Sequence, residues 1–318
     1  GTTGQTINPK LAVHWQLHDQ FALRASASTT FRGPTLNQLS GTTTVLSYLS
    51  AASAFRAVET VGNSELNPET AKAFNIGLIA ELMDEKLIAT LDYWAFDFDD
   101  PIITEPFEQV LEKAQAGQQP YVDQVILGTA GDFSTVQRII SNVINGPSQK
   151  TSGVDLVVNF SPSEVWSMGA EFTYTAKYEI EGTDLIDGFS AVGQLNTSNF
   201  LRPLPRLKGK VFTSLDWEHQ TANLVINYVH DYKDERDNGS ADSIFATNDS
   251  GAKIDKYITA DLNYNYRFTD SDTSINLSLI NLTDEKPPLA RLDLNYDPFT
   301  HGILGRTLKM TLTHRFGE

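Results

Sequence analysis

Apolar and polar residues alternate with a period of two through most of this chain, and that pattern predicts β-strands. Leu11, Val13 and Trp15 alternate with Lys10, Ala12 and His14. After the short turn Leu17-His18-Asp19-Gln20, Phe21, Leu23, Ala25 and Ala27 alternate with Ala22, Arg24, Ser26 and Ser28. The pattern returns at 74–80, 87–93, 154–160, 166–178, 207–217, 224–228, 258–266, 275–279 and 308–316. It predicts about 11 strands. The run from Trp166 to Tyr178 is long for an ordinary strand and suits a tilted membrane strand with an extension.

The connections alternate too. Short polar turns stand at Met83-Asp84-Glu85-Lys86, Ser161-Pro162-Ser163-Glu164, Glu218-His219-Gln220-Thr221 and Thr269-Asp270-Ser271-Asp272. Long connections run over 31–68, 98–137, 179–205, 233–253 and 283–304. Every long connection falls at the same end. A soluble sandwich has no reason for that, whereas an outer-membrane barrel has short periplasmic turns and long extracellular loops.

Trp15, Phe21, Phe74, Tyr93, Phe160, Trp166, Tyr178, Trp217, Tyr228, Tyr266 and Phe316 sit at strand ends on the apolar face. Aromatic girdles belong there. Aromatics also favour strands in general, but the loop asymmetry supports the girdle reading independently. The other face carries Lys10, Arg24, Asp92, Asp155, Asn159, Glu171, Lys177, Lys208, Lys210, Asp216, Asp261, Asn263, Arg267 and Lys309. Such charge is costly in a packed core and natural in a water-filled lumen. The expected fold is all-β: a transmembrane, antiparallel, up-and-down β-barrel.

Composition narrows this further. No stretch of 18 apolar residues exists, so no transmembrane helix is predicted, which says nothing against a barrel. Forty acidic residues against 24 basic ones give a formal charge of −16. With no basic patch to meet phosphates, no nucleic-acid partner is expected; acidic extracellular loops fit instead. The absence of cysteine excludes a thiolate zinc site and is compatible with export without disulfides. Gly1 begins no signal peptide, so the start of an exported protein is expected to lie outside this sequence.

Several segments resemble the TonB-dependent outer-membrane receptor family. Arg24-Ala25-Ser26-Ala27-Ser28-Thr29-Thr30-Phe31-Arg32-Gly33-Pro34-Thr35-Leu36-Asn37-Gln38-Leu39 is similar to the family's RAS…FR-x-P-x-L-x-x-L stretch. Asn67-Pro68-Glu69-Thr70 resembles its L-x-PE motif, and Gly153-Val154-Asp155-Leu156 its GVE motif with Asp in place of Glu. Asn281-Leu282-Thr283-Asp284-Glu285-Lys286 resembles NL-F/T-D-K. Tyr296-Asp297-Pro298, Gly305-Arg306-Thr307 and His314-Arg315-Phe316 resemble the terminal YDP…GR…YRF block.

The resemblance implies about 11 strands of a roughly 22-stranded barrel, with residues 1–318 as its C-terminal part. The plug domain, the TonB box and the first barrel half have no counterpart here, and 11 strands are not expected to close alone. It implies outer-membrane lipid, the TonB system acting through the plug, and the barrel-assembly machinery as partners. Phe316 would be the assembly signal, although Gly317 and Glu318 follow it.

Candidate chemistry is sparse. Asp97, Asp99 and Asp100, with Glu105 and Glu108, make an acidic cluster that suits calcium or, more simply, a solvated loop. Asp231, Asp234, Glu235, Asp237 and Asp242, with Lys233 and Arg236, make a second, also expected to be solvated. The six histidines (14, 18, 219, 230, 301 and 314) have no zinc spacing and no Ser/His/Asp arrangement. No enzyme, cofactor or metal is expected.

Tyr48, Phe55, Phe107, Tyr121, Phe133, Phe189 and Phe245 lie in the long loops. They suit ligand capture by stacking, or packing of the loops together. The predicted ligand contacts are Tyr48, Phe55, Phe107 and Tyr121, with Arg24, Lys177 and Arg267 as lumen bases; Lys208 and Lys210 share that face. Gln137–Ile144 reads as the upper part of the strand through Gly153, with a bulge near Pro147.

Two functions follow. One is a receptor that binds a scarce large ligand, such as a ferric siderophore, a cobalamin or an oligosaccharide, and imports it with TonB-transmitted energy. The other is a passive porin-like or structural barrel. A soluble sandwich is the third reading. The expected location is the bacterial outer membrane.

Overall fold

The computed structural model describes residues 6–197, 201–236, 251–269 and 271–316. Asp237, Asp242, Phe245, Asp270, Gly317 and Glu318 lie outside them.

Eleven wall strands form one antiparallel path in chain order. They are β1 (Lys10–His18), β2 (Phe21–Arg32), β3 (Glu69–Leu82), β4 (Leu87–Asp99), β5 (Gln149–Phe160) and β6 (Trp166–Ile180). They continue as β7 (Leu207–Trp217), β8 (Gln220–Val229), β9 (Tyr257–Arg267), β10 (Thr273–Ile280) and β11 (Thr307–His314). The count and the alternation of short turns with long loops are as the sequence predicts. The two-residue segment Phe189–Ser190 adds to the top of β6. Among the described residues β1 and β11 do not pair with each other, so the sheet is a wall with two edges.

Alternation gives this wall its two faces. On one, a cross-strand row runs Trp15, Leu23, Leu78, Leu91, Leu156, Phe172, Gly209, Tyr228, Ile258. It starts at the short-turn end of β1 and reaches the long-loop end of β8 and β9. That climb is the strand tilt and stagger a barrel wall requires. Glycine is needed once along the row: a Cβ on Gly209 would lie 2.2 Å from the Phe172 ring. Most of this face stays exposed, with Leu91 at 49% and Leu156 at 37%. An apolar face left uncovered over nine strands calls for lipid.

Aromatics bracket the band. Trp15, Phe160, Trp166, Trp217 and Tyr266 stand near the short turns, and Phe74, Tyr93, Tyr174 and Tyr228 near the long loops. From Trp166 to Tyr174 is about 27 Å along the strand.

Tyr178 does not join this girdle. The pairing of β5 with β6 slips at Ser152/Gly153, where Gly153 faces Thr175 but Ser152 faces Lys177. The extra residue, Ala176, is a β-bulge. Above it the faces of β6 exchange: Lys177 turns to the lipid side and Tyr178 inward, where its hydroxyl donates to Gln149 Oε1 at 3.0 Å. The assignment of Lys177 to the lumen is corrected accordingly.

The apolar cores lie in the long loops. Leu49 of the first, Val110, Leu111, Val125 and Ile139 of the second, and Leu185 and Ile186 of the third form one cluster. Leu195, Tyr232, Ile254 and Ala290 join the third, fourth and fifth loops in another. A five-stranded loop sheet underlies the first cluster. The hairpin Thr42–Leu49/Ala54–Val61 pairs in parallel with Val136–Asn145, which also meets Ile102–Thr104 and Val125–Leu127. Residues 137–144 are therefore extended, as predicted, but belong to this sheet and not to β5. Gly146, Pro147 and Ser148 separate the two.

The motif stretches touch one another. Arg32 donates to Glu69 in two bonds, the longer 2.8 Å, joining the FR and PE motifs. Thr35 and Gln38 cap the short helix Leu36–Ser40 reciprocally. Asp284 accepts from the Arg306 backbone N–H at 2.7 Å, joining the NLTD and GR segments.

Candidate functional site: the lumen face and its roof

On the lumen face, Arg24 of β2 reaches across β3 to Asp92 of β4, with Nε 2.8 Å from Oδ1. Next along the wall, Asp155 accepts from the Thr173 hydroxyl at 2.7 Å. Lys210 then pairs with Glu171 at 3.0 Å, and the Asn227 amide donates to Asp261 at 3.0 Å. Asp155, Glu171, Thr173, Lys208, Lys210 and Asn227 line one polar groove. Of the lumen bases foreseen at 208 and 210, Lys210 meets a lumen acid, Glu171, while Lys208 lines the same groove. Charge-assisted bonds fix these side chains while leaving the groove wet and able to exchange partners with a polar ligand.

A roof closes over this wall. Tyr232, Asp297 and His301 come from the fourth and fifth loops and are all at least 96% buried, against 0% to 4% exposure. The Tyr232 hydroxyl donates to Asp297 Oδ2 at 2.6 Å and lies 3.0 Å from His301 Nε2. Burial and the Asp297 charge raise the Tyr232 hydroxyl far above the usual phenol range. Burial, helped by Lys208 and opposed by Asp297, pushes His301 down to about 4.

Behind them, Asp234 binds Arg236 at 2.7 Å and Arg291 at 3.0 Å, with the Asp234 side chain 0% and Arg291 1% exposed. Burial works against the Asp234 carboxylate, but the two guanidiniums hold it below the ordinary carboxylate range. The second acidic cluster is not simply a solvated loop: three of its residues, Asp234, Glu235 and Arg236, fasten the roof, Glu235 by accepting from the Asn196 N–H at 2.8 Å. The first cluster disperses. Asp99 pairs with Lys72, while Glu105 is buried and accepts from Gln124 and Asn142. Among the described residues no three His, Asp or Glu groups stand ready for a metal.

The predicted ligand contacts separate. Tyr48 and Phe55 remain exposed, at 48% and 65%, as an edge-to-face pair 5.6 Å apart on the loop hairpin. Phe107, Tyr121, Phe133 and Phe189 pack against the loop core, the alternative reading of the loop aromatics. Arg24 faces the lumen, but Lys177 faces lipid. Arg267 ends β9 beside a short turn, far from the loops. Phe316 lies beyond β11, 90% exposed, with its ring 4.5 Å from His314.

Sequence reading missed the aromatic ladder Trp94, Phe96, Phe98, with successive centroids 5.9 and 6.0 Å apart. It alternates with Tyr93 and so shares the face of Asp92. Its signal was legible: Trp94, Phe96 and Phe98 stand at every second position, on the face opposite Tyr93 and Ala95. Gly153 makes room for it, since a Cβ there would lie 2.3 Å from the Trp94 ring.

A family model described as "TonB dependent receptor-like, beta-barrel" matches residues 1–282. No curated protein matches the sequence. Among solved structures, a ferric enterobactin receptor of Pseudomonas aeruginosa is 18% identical, with a TM-score of 0.65 over 99% of this chain and 41% of that one. The siderophore receptor PirA of Acinetobacter baumannii is 18% identical, with a TM-score of 0.66 over 97% and 41%. The ferric-catecholate import receptor Fiu of E. coli K12 is 15% identical, with a TM-score of 0.57 over 96% and 34%. At these identities the likeness is one of fold. The chain spans about two fifths of the first two and a third of the last.

Proposed function

Because the chain belongs to the TonB-dependent receptor β-barrel family, we propose that it supplies part of the wall and mouth of an outer-membrane siderophore-uptake receptor. Its 11 wall strands make up about half of a roughly 22-stranded barrel. The ligand is a ferric siderophore, held by the loops and lumen and broken at no bond. Entry is driven by TonB acting on a plug domain elsewhere in the complete protein. The complete protein sits in the outer membrane of a Gram-negative bacterium and is placed there by the barrel-assembly machinery, with Phe316 as a recognition point.

The observation that carries this reading is the interlocked roof over a polar, charge-balanced lumen groove. A passive pore needs an open lumen. Here three long loops converge through Tyr232, Asp297, Asn196 and Arg291. Such a mouth suits capture of one bulky polar ligand. The solved neighbours named for ferric enterobactin and ferric-catecholate import support the ligand class.

The test is uptake of radiolabelled iron by cells whose only such receptor is the complete protein. Uptake with a catecholate siderophore that stops when TonB is deleted is expected. Uptake that persists without TonB, or equal passage of unrelated small solutes, overturns the proposal in favour of a passive pore.

A further inference from the structure

The rings of Trp94, Phe96 and Phe98 stand at successive heights on the lumen side of β4. Phe98 is the uppermost, at the long-loop end of the strand, and Trp94 is the lowest, one step above Asp92. The positions beside them are short: Ala71 and Ala73 on β3, Thr151 and Gly153 on β5. The rings therefore project from the wall into the lumen. Phe96 is 37% exposed, and Trp94 and Phe98 are half-buried.

Folding does not ask for this row. The apolar cores lie in the loops, and none of the three rings belongs to them. Nor is the row part of a girdle, because it faces away from lipid. Aromatic surface left open beside a wet lumen marks a contact with something else. The spacing says what kind. Successive centroids are 5.9 and 6.0 Å apart, within the roughly 4.5–7 Å over which ring pairs attract. A flat ring carried by a ligand thus meets the next side chain before it has left the last. Passage needs contacts of this sort, several and similar, with none deep enough to hold. At the foot of the ladder the charged positions across the wall are Arg24, Asp92, Asp155 and Lys208. Two bases stand with two acids, so that row sets no net charge against an anionic complex.

We propose that this ladder is a track for aromatic rings. The catecholate groups of a ferric complex step from Phe98 to Phe96 to Trp94 as the complex moves from the roof to the polar groove beside Lys208. The ladder serves the passage of the ligand and not its capture, which stays with the loops. The inference rests on the siderophore reading above and deepens it, by naming the wall that the ligand follows and the part of the ligand that this wall reads.

The test uses cells that carry the complete protein as their only catecholate receptor. Binding of the radiolabelled ferric catecholate is measured with TonB deleted, and the saturated uptake rate with TonB present. Trp94→Leu with Phe96→Leu is expected to cut the uptake rate at least fivefold and to change Kd less than twofold. Phe96→Tyr, which keeps the ring, is expected to stay within twofold of the wild-type rate. Tyr93→Leu, one position along on the lipid face, also loses a ring and is expected to match the wild type. Heat-modifiable migration on a gel reports folding; if the double variant does not fold, Phe96→Leu alone is read for a partial loss of rate. Unchanged uptake by the folded Leu variant, equal losses in binding and uptake, or an equal loss in Tyr93→Leu overturns the track. So does new entry of a large antibiotic into cells with the Leu variant, which would show the ladder packing the plug instead. Wild-type cells that bind and import no catecholate iron overturn the siderophore reading itself, and the track with it.

Discussion

Arg24 and Asp92 pair across an intervening strand, and the residue between them is Gly77. Arg24 faces Gly77 on one side, and Gly77 faces Asp92 on the other. A Cβ on Gly77 would lie 2.0 Å from Asp92 Oδ1 and 3.0 Å from Arg24 Nε. Only glycine leaves the corridor through which the guanidinium crosses.

Gly77→Ala is therefore expected to break the bridge and strand an Asp92 side chain that is only 9% exposed. Removing one partner of a buried pair costs ~3–5 kcal/mol. Arg24 is half-exposed, so water recovers part of this, and a loss of about 1–2 kcal/mol is expected. Urea unfolding of the detergent-folded protein measures it. Asp92→Ala in the Gly77→Ala background should add little further loss, because the clash and the stranded charge both disappear. Additive losses would show that the two sites act separately.

The reversal of faces above the bulge is tested by labelling, since the chain has no cysteine of its own. Lys177→Cys should react readily with a probe presented at the outer rim. Tyr178→Cys, facing inward beneath the roof, should react at least tenfold more slowly. The opposite order would restore uninterrupted alternation along β6.

The bulge also shows where sequence reading stops. Strand number, turn positions and loop positions were legible because each depends on a local pattern: alternation, aromatic strand ends, and clusters of Asp, Ser and Pro. An extra residue inside an alternating run leaves that run looking regular, so Lys177 was placed on the wrong face. Residues 137–144 failed for a related reason. Their apolar pattern says strand, but the partner is the distant hairpin strand Ala54–Val61. Polarity alone also says that Asp234 and Arg236 are solvated, whereas their burial depends on Arg291, 55 or more residues away.

That burial makes the roof's ion network a separate point of failure. Asp234→Ala takes from Arg291, 1% exposed, the carboxylate 3.0 Å from its Nε. Loss of one partner from a buried ion pair costs up to ~3–5 kcal/mol. The cost should fall on loop docking and not on the wall, because the wall strands keep their ladders. Hydrogen exchange should quicken in residues 191–197 and 281–306 while the wall amides stay protected. Equal loss of protection in wall and loops would mean that roof and barrel unfold as one unit.

His301 predicts how that docking responds to pH. The Tyr232 hydroxyl donates its hydrogen bond to Asp297, so its oxygen accepts from His301, which places a proton on His301 Nε2. Its Nδ1 is buried with no hydrogen-bond partner, which leaves no place for a second proton. With the docked value pushed down to about 4 and a released histidine near 6.5, the released loop binds more protons between those two values. Docking strength is therefore constant above about pH 6.5, falls as the pH drops toward 4, and levels off below it. The full span is on the order of 3 kcal/mol. Protease cutting within residues 281–306, followed from pH 7 to pH 4, should rise over that window. His301→Phe should flatten the response, since it removes the titrating group while keeping a ring between Tyr232 and Tyr257. A His301→Phe protein with the same pH profile would place the sensitive group elsewhere in the roof.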